Sequence, residues 1–198
     1  MTARIAVLVS GGGTNLQALL DAEKDGKLKS GHIALVVSNK EDAYALTRAK
    51  NAGVRAAAFE RKTLGQAAFE QKTLALLQEE NLSILSENFV RQYPKRILNV
   101  HPALIPAFSG KGYYGLKVHQ EALKRGVKIT GATVHLVNEE ADGGPILMQK
   151  AVRVHKNDTP QSLQKRVMEQ AEWVLLPKAA EQMSKDLIKK KEKQHVSQ

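Results

Sequence analysis

No cysteine occurs in the 198 residues. That excludes disulfide staples, thiolate metal ligation and a cysteine nucleophile, and it fits a reducing cytoplasm. No apolar run approaches the roughly 18–20 residues that a membrane-spanning helix needs. Met1-Thr2-Ala3-Arg4 leads into a short strand-like run and not into a signal peptide's apolar segment. A cytoplasmic chain with no membrane partner is expected. Aromatic residues make up only 5% of the chain, with no RNP-like aromatic pattern and no zinc spacing, so neither a nucleic-acid partner nor a resident metal is expected.

Positive charge is plentiful. The formal net charge is +10, which points to an anionic partner. The last fifteen residues hold five lysines against Asp186 and Glu192, so three of those charges belong to the tail and the body keeps seven. A small anionic substrate suits such a body better than a polymer. The length fits one domain over residues 1–183 with a basic, disordered tail over 184–198, acting as a monomer or homodimer.

Apolar patterning gives the fold class. Ile5-Ala6-Val7-Leu8-Val9 is a continuous apolar run of the kind found in strands buried on both faces. A glycine-rich turn follows at once, and Leu16, Leu19 and Leu20 then recur at helical spacing. Strand and helix alternate again through 33–37, 41–52 and 54–59, with Gly53 stopping the second helix. Helices are expected over 66–80, over 86–93 before Pro94, and over 114–125, with strands over 96–101, 132–137 and 146–154. Thr159-Pro160 opens a last amphipathic helix. The rhythm predicts an α/β, Rossmann-like, mostly parallel sheet with helices on both faces.

Three constellations carry chemistry. Gly11, Gly12, Gly13, Thr14 and Asn15 lie between a buried strand and a helix, where free backbone amides and the positive end of the helix dipole can receive a phosphate. Glycines there also serve simply to make a tight turn, and the run matches neither G-x-G-x-x-G nor a P-loop. Asn99 and His101, two apart on a strand, point to the same side. At the C-terminal edge of a parallel sheet that side would face a ligand crevice. Asp142-Gly143-Gly144-Pro145 is a turn by its own chemistry.

Together, Ser10-Gly11-Gly12-Gly13-Thr14-Asn15-Leu16, Asn99-Val100-His101-Pro102-Ala103-Leu104-Ile105-Pro106, Gly131-Ala132-Thr133-Val134-His135 and Asp142-Gly143-Gly144-Pro145 resemble the glycinamide ribonucleotide transformylases. The match runs in order from about Arg4 to Pro177. It implies a formyltransferase fold, 10-formyltetrahydrofolate as formyl donor, glycinamide ribonucleotide as acceptor and a step of purine biosynthesis. By the same resemblance Asn99, His101 and Asp142 are the catalytic trio, and Gly11 to Asn15 with Glu172 bind the ribonucleotide. Leu82, Ile84, Leu85, Glu140 and Ala141 would contact the folate. Where relatives have a central strand, Asn81 runs straight into Leu82, so one strand is expected to be missing there. Gln66 and Ser83 stand where some relatives carry arginine toward the folate's glutamyl tail. Two other readings stay open: a related formyl-folate enzyme, either formyltetrahydrofolate hydrolase or methionyl-tRNA formyltransferase-like, and a non-catalytic nucleotide- or RNA-binding Rossmann module.

Overall fold

The computed structural model describes residues 2–80 and 89–196. The chain divides into two compact units, one of residues 1–92 with 180–198 and the other of residues 93–179. The Asn81–Leu82 junction and the expected folate contacts Leu82, Ile84 and Leu85, together with Ser83, lie outside the described residues.

The first unit is built on strands β1 (Ala3–Val9), β2 (Gly31–Ser38) and β3 (Arg55–Ala58), all parallel in the order β1-β2-β3. Helices α1 (Thr14–Lys24) and α2 (Tyr44–Asn51) connect them, and α3 (Arg61–Leu64) and α4 (Gln66–Glu79) follow. The central strand is the most buried: Leu35, Val36 and Val37 are fully enclosed, and Leu16, Leu19, Ala45 and Ala49 of the helices are buried with them. β1 reads as a strand enclosed on both faces, yet it is half-exposed along its length, with Leu8 47% exposed. Among the described residues β2 is its one partner strand.

Helix α5 (Phe89–Gln92) ends the first stretch of this unit. Among the described residues no strand lies between β3 and β4 (Leu98–His101).

The second unit holds β4, β5 (Ile129–Leu136) and β6 (Ile146–Arg153), with helices α6 (Leu116–Arg125) and α7 (Pro160–Val167). These strands pair antiparallel, β4 with β5 and β5 with β6. The α/β, Rossmann-like expectation is met, with the parallel pairing in β1–β3. Among the described residues the one strand paired with β4, which carries Asn99 and His101, is β5, and that pair is antiparallel. The alternation of β4 and β5 divides their side chains cleanly. Leu98, Val100, Ala132 and Val134 join a core with Val152, Leu163, Val167, Ala171 and Leu175, leaving Asn99, His101, Thr133 and His135 for the opposite face.

Thr159 caps α7 as expected. Its hydroxyl accepts the Ser162 N–H, the Ser162 hydroxyl accepts the Thr159 N–H, and Pro160 takes the first turn. A π-helical turn (Met168–Glu172) leads into α8 (Trp173–Val196). The tail expected to be disordered is helical as far as Val196. Ala180, Met183, Leu187 and Ile188 set an apolar strip at helical spacing along it, with the small polar Ser184 buried beside Gly31. The lysines masked that strip in the composition.

Candidate active site

Asn99 and His101 stand one above the other on β4, and their partners across β5 are His135 and Thr133 respectively. All four side chains project to the face away from the helix-packed core. The Thr133 hydroxyl donates to Ala103 O (2.7 Å) and accepts the Ile105 N–H (3.1 Å), which fixes the loop after His101. Gln149 Nε2 donates to the same hydroxyl and to Ile105 O, at 3.0 Å each.

Into this face the 142–145 turn brings Asp142. One carboxylate oxygen, Oδ2, accepts the Gly110 N–H at 2.9 Å and lies 3.4 Å from His101 Nδ1. The other, Oδ1, lies 3.5 Å from both Asn99 Nδ2 and His135 Nε2. The other nitrogen of His101, Nε2, is 2.8 Å from Phe108 O. The ring therefore has an oxygen near each nitrogen, Phe108 O being the closer. Both oxygens come from residues in the left-handed region, Phe108 at φ 50° and Asp142 at φ 57°. A bulky residue such as phenylalanine rarely adopts this conformation, and such strain concentrates at functional sites.

Sequence reasoning brought Asn99, His101 and Asp142 together, and the structure gathers the three. It missed His135, which is 2% exposed and closes the cluster. The signal was present: Thr133 and His135 are polar at period two between the apolar Ala132, Val134 and Leu136. It also missed His119 on α6, fully buried, with no hydrogen-bond partner for either ring nitrogen among the described residues. Burial, and secondarily the nearby His101, push its pKa down to about 4. Glu140 and Ala141 sit exposed on the turn just before Asp142. Glu172 is 6% exposed at the end of the π-helical turn, an irregularity often found at functional positions.

The glycine loop belongs to the first unit. Gly13 is the N-cap of α1 at φ 71°, and a Cβ there would fall 2.6 Å from Ala45 Cβ, so only glycine lets α2 pack against the loop. The Ala45 N–H donates to Gly11 O (3.1 Å) and Arg48 Nε to Gly12 O (2.8 Å). In a trans peptide the N–H points opposite the carbonyl. The amides of Gly12 and Gly13 therefore point away from α2, and a Cβ on Gly11 or Gly12 would meet nothing within 4 Å. Thr14 and Asn15 form the first turn of α1. Open, outward amides at a helix start are what an anion requires.

An α/β chain that gathers an amide, two imidazoles and a carboxylate on one sheet face has the means for acid–base group transfer. Residues 3–179 match the formyl transferase family, to which the chain belongs. It is 38% identical over 184 residues to the phosphoribosylglycinamide formyltransferase of Haemophilus influenzae, covering 88% of this chain and 84% of that one. It is 39% identical to the chloroplastic phosphoribosylglycinamide formyltransferase of Arabidopsis thaliana over 83% of its own length, and spans 60% of that protein; it spans 19% of the bovine trifunctional purine biosynthetic protein adenosine-3. Among solved structures it is similar to glycinamide ribonucleotide transformylase 1 from Symbiobacterium toebii, with TM-score 0.83 and 36% identity over 93% of this chain and 89% of that one. No helix among the described residues is long and apolar enough to cross a membrane, and none of their His, Asp and Glu side chains form a group able to hold a metal ion.

Proposed function

We propose that the chain transfers a formyl group from 10-formyltetrahydrofolate to the amine of glycinamide ribonucleotide, a cytoplasmic step of de novo purine biosynthesis. The observation that carries this reading is the convergence of Asn99, His101 and Asp142 on one face of β4 and β5. The side chains fit the chemistry: an amide N–H for the formyl oxygen, and a carboxylate for the amine proton.

The folate substrate supplies a formyl carbon, and attack by the amine places negative charge on the formyl oxygen. Preorganised donors meet that charge without reorganising. Asn99 donates an amide hydrogen, and the His101 ring beside it on β4 is held between Phe108 O and Asp142 Oδ2. Asp142 accepts the proton that the amine loses, and that proton can pass to the departing folate nitrogen, so no net proton is consumed. The amine is itself the nucleophile, so the side chains need only bind, orient and move a proton.

Gly12 and Gly13 amides would hold the ribonucleotide phosphate, with Thr14 and Asn15 at the same helix start. Glu172 would contact the ribonucleotide, and Glu140 and Ala141, beside Asp142, would border the folate. The test is formyl transfer by the purified chain. Folate absorbance should change only when glycinamide ribonucleotide is added. Formate release without the ribonucleotide would favour a hydrolase, and tight RNA retention without transfer would favour a binding module.

A further inference from the structure

We propose that His135 is a positioning residue, a fixed acceptor that sets which end of the Asn99 amide faces the reacting carbonyl. The inference rests on the formyl-transfer reading of the site. An amide can present either oxygen or NH2 at a given place, and the two exchange by a half-turn about one bond. Only the NH2 end stabilises a developing oxyanion, so something must hold the choice.

The choice is traced from the backbone. His135 Nδ1 lies 2.9 Å from Leu136 O. A carbonyl only accepts, so Nδ1 carries the proton, and in the neutral ring Nε2 is then an acceptor. Asn99 Nδ2 lies 3.2 Å from Nε2, and Asn99 and His135 are direct partners across β4 and β5. The amide therefore turns its NH2 to His135 and uses one hydrogen there. The second hydrogen has only a 3.5 Å contact to Asp142 Oδ1, and it is the one available to substrate.

The carbonyl at the head of this chain is itself held. The Leu136 N–H donates to Pro145 O at 2.9 Å, and a Cβ on Gly144 would fall 1.8 Å from Leu136 O. The 142–145 turn is thus seated flat against Leu136. One turn supplies the Asp142 carboxylate and, through Gly144 and Pro145, fixes the carbonyl that orients His135 and in turn Asn99. The competing arrangement is a doubly protonated His135 donating to Asp142 Oδ1 at 3.5 Å, which would require Asn99 to turn its oxygen inward. Of the two contacts at Nε2, that to Asn99 is the shorter.

Two measurements on the full chain test this. In a 15N-labelled sample at neutral pH, long-range 1H–15N correlation should show His135 protonated at Nδ1 and bare at Nε2. A proton on Nε2 overturns the proposal, and this readout needs no variant. Kinetically, His135→Leu should lower kcat about tenfold with both KM values within about threefold, as expected when an interaction made in the transition state is weakened. His135→Gln, whose oxygen can replace Nε2 as acceptor, should recover most of that loss. In an Asn99→Ala background His135→Leu should cost nothing further, because coupled residues are not additive. Full additivity in the cycle overturns the proposal while leaving the site reading intact. An Asn99→Ala enzyme as fast as the parent overturns the site reading and the proposal together.

Discussion

The glycine loop and the histidine–carboxylate cluster solve opposite problems. The loop works with bare backbone. Its carbonyls are tied to α2, its Gly12 and Gly13 amides point outward, and space lies open beside Gly11 and Gly12. It buries no side-chain charge and needs a left-handed residue only at Gly13. The cluster works with buried His101 and His135 and part-buried Asn99 and Asp142, and left-handed Phe108 and Asp142 bring an oxygen to each nitrogen of His101. Holding an anion asks for dipoles that never change, which the backbone supplies. Moving a proton asks for groups whose charge can change, and these work best away from water, where each misplaced donor is costly.

The contrast can be broken most severely at Asp142. Asp142→Asn should keep the fold, since asparagine tolerates the left-handed region, but lower kcat on the order of a hundredfold or more. Steady-state kinetics with a matched melting curve checks this, and activity within about threefold of the parent would remove Asp142 from the mechanism.

A second break is in pH. His119 titrates near 6.5 in the unfolded chain and is pushed down to about 4 when buried. Its contribution to stability is complete above pH 6.5. Between pH 6.5 and about 4 the unfolded chain takes a proton that the folded chain refuses, so stability falls by up to about 3 kcal/mol. Chemical denaturation at stepped pH should show that fall, and His119→Leu should flatten it.

Backbone space gives two smaller tests. Gly144→Ala sets a Cβ against the Leu136 carbonyl and should cost roughly 2 kcal/mol, typical of overpacking. Gly143→Ala meets only the flexible Glu140 side chain and should cost less. Thermal melts of the pair decide it. Gly12→Ala should melt with the parent, because its Cβ enters open space, yet raise the ribonucleotide KM about tenfold by crowding the phosphate, with the folate KM unchanged. Gly13 is a poor probe of the same point, since its Cβ would strike Ala45.

What could be read from the sequence follows from what side-chain patterning records. The apolar run before Gly11, the helical spacing of Leu16, Leu19 and Leu20, and Thr159-Pro160 each report a local preference, and each element formed within a few residues of its expected bounds. Strand direction is another matter. Leu98, Val100, Ala132 and Val134 are apolar whether their strands run parallel or antiparallel, so the antiparallel pairing of β4–β6 left no trace in the pattern. The exposure of Leu8 was equally hidden, because a strand's composition does not say what packs against each of its faces. At the site, Asn99 and His101 were legible by their period-two spacing. His135 carried the same period-two mark with Thr133, but its partner did not show, because that depends on register with Asn99 across two strands 36 residues apart. The left-handed backbone at Phe108 has no counterpart in residue type at all.

Steady-state formyl transfer from 10-formyltetrahydrofolate to glycinamide ribonucleotide by the full 198-residue chain, followed by folate absorbance, tests the central claim most directly. The expected result is ribonucleotide-dependent turnover that falls on the order of a hundredfold or more in Asp142→Asn at unchanged melting temperature. A chain that melts cooperatively but transfers no formyl group above the uncatalysed rate, with both substrates saturating, would contradict it.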